Sequence, residues 1–102
     1  MSPVSLIAQL EEQWDLDHGF LGRLRMGQFD PQRLAQLVSI LDGIDLQGAV
    51  TVNRRLVSLL WFMPTFMSWQ EEGVQSAGGD LAGYRKACTD IENSIIRILG
   101  MP

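Results

Sequence analysis

Asp15, Asp17 and His18 form the tightest cluster of side chains in this 102-residue chain that could ligate a metal or move a proton. His18 is the one histidine, and so the strongest candidate for a base at neutral pH. A transition metal wants three or four ligands aimed at one point with a supporting second shell. Three ligands within four residues of one chain rarely converge, so the expectation is an exposed acidic turn at a helix end. A metal protein or small hydrolase centred on His18 is the last alternative.

Other chemistry fares worse. Cys88 would be a nucleophile only if partly exposed with a depressed pKa, and its place on an apolar helical seam argues for plain packing. Glu11/Glu12 and Glu71/Glu72 are adjacent pairs, which a helix points about 100° apart, so neither makes an acid–base dyad. Gly78-Gly79 is followed by Asp80, which would repel a phosphate at that helix N-terminus. No catalytic, cofactor or metal site is assigned, and the expectation is a protein that is not an enzyme.

The totals set the class. The length suits a single domain spanning residues 1–102, with one modest core. Apolar residues make up 46% and charged residues 20%, an ordinary globular balance. Net charge is −4, and it sits in the N-terminal half: up to Thr51 there are seven acids against three arginines, and beyond it five of each sign. With Lys86 the one lysine and no basic footprint, nucleic-acid binding is disfavoured. A lone cysteine rules out an intrachain disulfide. The N-terminus lacks a cationic signal-peptide region, and the apolar run 56–69 is shorter than the about 20 residues that span a bilayer. A cytoplasmic protein with no membrane association is expected.

Periodicity supplies the elements. Ser2-Pro3 reads as a cap and first helical residue, opening a helix to about Asp15 with Leu6, Ile7, Leu10 and Trp14 on one stripe. Phe20, Leu21 and Leu24 suggest a short helix ending by Gly27, weakened by Gly19 and Gly22. Asp30-Pro31 starts a better-capped helix, with Phe29 placed to staple against Leu34 and Gly43 as its stop. Residues 44–50 read as a connection, and Thr51 or Asn53 caps the helix that enters LVSLLWFMPTFMSW. Pro64 lies inside that run, and a kinked helix continuing to about Glu72 is expected, with two helices as the alternative. Residues 73–79 read as a loop. Asp80 caps a last helix with Tyr84, Cys88, Ile91, Ile95 and Ile98 on a seam, stopped by Gly100 and Pro102. The fold class is all-α: one bundle of four to five helices around the central, Pro64-kinked apolar helix.

Function is expected from surfaces. One helix face cannot bury Trp61, Phe62 and Met63 together with Phe66 and Met67, and Trp, Phe and Met are enriched at interfaces. Either several helices surround the segment as core, which is the first reading, or some of these side chains lie at an interface; in the second case Leu56–Met63 is the core half and Phe66 with Trp69 the exposed pair. The first expectation is a non-catalytic protein-binding domain: a small acidic bacterial inhibitor of the immunity type that neutralises a cationic toxin domain by occlusion. Glu11, Glu12, Asp15, Asp17, Asp42 and Asp45 would carry its charge. The alternative is a helical adaptor or self-associating module, homodimeric through the central segment.

Overall fold

A computed structural model describes residues 3–102; the cap expected at Ser2 lies outside them. All regular structure among these residues is helical, in seven segments rather than four or five. No helix is long and apolar enough to cross a membrane.

Helix α1 spans Pro3–Gln13 and buries Leu6, Leu10 and Gln13. It stops short of Asp15 because its end tightens: Trp14 and Asp15 donate to the carbonyls of Glu11 and Glu12, three residues back. The Asp15 carboxylate then accepts from the backbone N–H groups of Asp17 and His18, which turns the chain. Helix α2 is Phe20–Leu24, with Phe20, Leu21 and Leu24 buried. Its glycines serve close approach. A Cβ on Gly22 would collide with the Asp15 carbonyl, and one on Gly19 with the carbonyls of Glu12 and Gln13.

Helix α3, Pro31–Asp42, opens as expected: the Asp30 carboxylate accepts from the Gln32 N–H at 2.9 Å and Pro31 follows. The aromatic ring of Phe29 meets Phe20 and Tyr84, at centroid distances of 6.1 and 5.3 Å. Gly43 ends the helix with ordinary right-handed φ. The α3 end is held from afar, because Arg97 donates to the Leu41 and Ile44 carbonyls at 2.7 and 3.0 Å.

Asn53, not Thr51, caps helix α4, Arg54–Trp61, by accepting from the N–H groups of Arg55 and Leu56. The expected kink at Pro64 is a break. Helix α4 ends at Trp61, Phe62 is the junction, and α5 is Met63–Trp69 with Pro64 in its first turn. There a missing N–H leaves no bond unmade, so the proline starts a helix and does not bend one.

Residues 71–76 correct a second expectation. Helix α6, Glu71–Ser76, occupies most of the stretch read as loop, and it buries Val74 completely. The close approach here belongs to Gly27, whose φ is +76° and whose Cβ would stand 2.7 Å from the Gly73 carbonyl oxygen. Helix α7, Leu81–Leu99, is capped by Asp80 accepting from the Gly83 N–H at 3.0 Å. It buries Tyr84, Ala87, Ile91, Ile95 and Ile98, half-buries Cys88, and stops at Gly100, whose φ of +84° suits glycine.

This last helix is the rod of the fold. Helices α3, α4, α5 and α6 all pack on it, and α1 covers α4 and α3. Within the apolar run 56–69, α4 packs on α1 and α7, and α5 packs on α7 and α2, which leaves part of its perimeter to solvent.

Candidate functional site

The uncovered perimeter follows from the helical period. On α4, Leu56, Leu59 and Leu60 turn inward, while Arg54, Ser58 and Trp61 are exposed. On α5, Met63, Phe66 and Met67 turn inward, while Thr65, Ser68 and Trp69 are exposed. Trp61 keeps 55% of its surface open and Trp69 64%, against 4% for Phe66. The segment is thus not surrounded on all sides, and the exposed pair expected in that case, Phe66 and Trp69, is corrected twice. Phe66 is core, because α5 restarts at Met63 and points it at the bundle. Trp61, read as core, is surface.

The two tryptophans are joined through Phe62. Its half-buried ring lies 5.4 Å from Trp61 and 5.2 Å from Trp69, edge-on to the latter. Beneath, Trp14 stacks on Phe62 at 6.2 Å and meets Phe66 edge-on at 4.9 Å. The Trp14 indole N–H donates to the Leu59 carbonyl at 3.2 Å. That carbonyl is in the last turn of α4, where backbone acceptors lack helical partners. Arg25 sits over the Phe66 ring at 5.4 Å, within cation–π range. The tryptophans of all three regions, 14, 61 and 69, therefore belong to one linked aromatic system, two of them presented to solvent.

Beside it lies a hollow of about 400 Å³, lined by Trp14, Leu59 and Phe62 and by four charged side chains, Glu11, Asp15, Arg25 and Arg55. Glu11 and Arg55 pair across it at 3.1 Å. Both partners are about half exposed, so this pair contributes little to stability.

The six acids proposed as one charged face are divided. Glu11 and Asp15 border the aromatic hollow. Glu12, a step around α1, lines a different hollow against α3 with Gln36 and Ile40. Asp42 and Asp45 line a third, with Arg97 at the end of α7. Asp17 is exposed, and its carbonyl accepts from Arg23 at 2.8 Å.

Asp15 and His18 do come together, Nδ1 to carboxylate at 2.8 Å. That side-chain bond, with the backbone N–H of His18, holds the Asp15 carboxyl below its usual range. Asp17 adds its backbone N–H and no carboxylate to this arrangement. Among the described residues, no three His, Cys, Asp or Glu side chains are grouped as a metal would need. Burial pushes the Cys88 thiol up, away from the thiolate. Glu71 and Glu72 part as adjacent helical residues should: Glu71 bonds Arg85 at 2.6 Å, and Glu72 faces outward.

Sequence reasoning missed Trp61. The signal was available in the positions 54, 58, 61, 65, 68 and 72, which alternate by four and three, the spacing of one face of a continuous helix. All six are exposed, and all but Trp61 are polar. No family model, curated protein or solved structure matches this chain.

Proposed function

We propose that this chain is a non-catalytic protein-binding domain whose recognition surface is the Trp61–Phe62–Trp69 face with the adjoining hollow. The observation that carries it is two tryptophans, both more than half exposed, braced against one shared phenylalanine. Exposed Trp on a rigid mount is a common anchor of protein interfaces, because it brings large apolar area at little conformational entropy. The aromatic layer beneath, tied by the Trp14–Leu59 bond, supplies the rigidity.

A small acidic inhibitor of the immunity type, covering a cationic toxin domain, is one member of this class. Of its candidate acids, Glu11 and Asp15 border the aromatic hollow, where Arg25 and Arg55 balance them, and Asp42 and Asp45 lie in another part of the fold. Its mark is an association rate that falls as salt rises.

The test is site-specific photo-crosslinking in cells. A photoreactive amino acid placed at Thr65, between the tryptophans, should give a discrete adduct; one at Gln36, on the α1–α3 side, should give none. Equal labelling from both positions, or none from Thr65, overturns the reading.

A further inference from the structure

The exposed stripe of α4, α5 and α6 has a symmetry in its residue types. Residues 54, 58, 61, 65, 68 and 72 are Arg, Ser, Trp, Thr, Ser and Glu, all exposed. Reversed in sequence order about position 63, Arg54 is matched with Glu72, Ser58 with Ser68, and Trp61 with Thr65. A charge thus meets its opposite, a small side chain meets a small one, and the large ring meets a short hydroxyl residue. That is the self-complementarity an isologous two-fold interface requires.

Three further observations agree. Arg54 is the one cation among the described residues without a hydrogen-bond, ion-pair or ring partner in its own chain, and Glu72 is likewise unpartnered. The other unpartnered side-chain carboxylates among the described residues, Glu12, Asp17, Asp42 and Glu92, belong to α1, the α1–α2 turn, α3 and α7. Ser58 and Ser68 both donate their hydroxyls back to their own helix, to the Arg55 and Thr65 carbonyls at 2.8 and 2.7 Å. Each therefore offers a small surface with its donor already satisfied. The Trp61–Phe62–Trp69 cluster sits at the middle of the stripe, and the unpaired charges sit at its two ends.

We propose that this face binds the same face of a second copy, antiparallel, with the two-fold axis near residue 63, so that Arg54 of each chain pairs with Glu72 of the other. The inference rests on the binding-face reading above and names its occupant. Four tryptophans, each more than half exposed, give roughly 600 Å² of aromatic burial in such a dimer. Specific interfaces bury about 1,200–2,000 Å² in total, and the flanking polar residues must supply the remainder. The pairing is therefore a modest one, with a micromolar dissociation constant.

Sedimentation equilibrium on the full chain across the micromolar range tests it, with circular dichroism as the check on folding. The wild-type chain should dimerise reversibly. Arg54→Glu and Glu72→Arg should each weaken the dimer about tenfold, since each change places like charges at two symmetric contacts. The combined Arg54→Glu/Glu72→Arg variant should recover most of the loss, and Trp61→Ala should abolish the dimer while leaving the helical spectrum unchanged. A wild-type monomer throughout the range overturns the proposal, as does a dimer that ignores both single charge changes. Neither result touches the binding-face reading, which the Thr65 crosslink decides: an adduct with a different protein supports that reading and counts against this one.

Discussion

The Tyr84 hydroxyl donates to the Met67 carbonyl at 2.6 Å, joining the first turns of α7 to the end of α5. The carbonyl also accepts from the Gln70 N–H at 3.1 Å, so the hydroxyl is its second donor, and the tyrosine ring is fully buried. One bond thereby closes the helix that restarts after Pro64 and fixes it to the rod of the fold. Tyr84→Phe should lower stability by about 1–2 kcal/mol in denaturant titrations, with the fold retained.

The same environment sets an alkaline limit. Burial raises the pKa of both the Tyr84 hydroxyl and the Cys88 thiol above their ordinary values of 10.0 and 9.0. The folded state therefore holds these protons longer than the unfolded chain does. Their contribution is complete below about pH 9 and is lost as pH rises, first through the thiol and then through the phenol. Unfolding free energy should fall from about pH 9 upward. Cys88→Ala should remove the earlier part of that decline and Tyr84→Phe the later part. As Tyr84 is the one tyrosine, tyrosinate absorbance should appear together with unfolding.

Pro64 separates two readings of the central run. Inside a continuous helix it would destabilise by about 3 kcal/mol, and Pro64→Ala would then stabilise the protein. In the first turn of α5 it carries no such penalty. The expected result is a loss of about 0.4–1 kcal/mol for Pro64→Ala, because the unfolded chain gains freedom.

How far the fold was legible follows from which interactions are local. The caps at Asp30, Asn53 and Asp80 and the α7 seam were readable because a cap or a 3–4 spacing is a property of neighbouring residues. Glycines misled, since composition does not distinguish freedom from proximity. Gly73 reads as loop, yet it lies in helix α6, while Gly27 is the glycine that its carbonyl crowds. The site was half legible. On the interface alternative Trp69 was expected at the surface and is there, but the facing of Trp61 and Phe66 depends on where α4 stops, and one residue of helical phase rotates a side chain by about 100°.

Gly22 gives the sharpest test of that distinction. If it merely weakened a helix, Gly22→Ala would stabilise α2 by up to about 1 kcal/mol. Its Cβ would instead collide with the Asp15 carbonyl, which belongs to backbone that cannot swing aside as a long side chain would. A loss of at least about 2 kcal/mol is expected, read as a lowered denaturant midpoint.

Phe66 and Trp69 lie three residues apart on one short helix, and they should answer substitution in opposite ways. Phe66 is 4% exposed and holds Trp14 edge-on and Arg25 over its face, so truncation opens a cavity under the aromatic system. Phe66→Ala should cost about 3–5 kcal/mol, a large share of the stability of a domain this size. Trp69 loses chiefly its edge contact with Phe62, and Trp69→Ala should stay within about 1 kcal/mol of wild type. Association should reverse the order. Where the fold survives, Trp69→Ala removes an exposed anchor and weakens binding at this face, whereas Phe66→Leu keeps the surface rings in place and should leave binding nearly intact. Urea melts and a binding titration on the same two variants read both halves, and a Trp69→Ala protein that binds as wild type would place the recognition surface elsewhere.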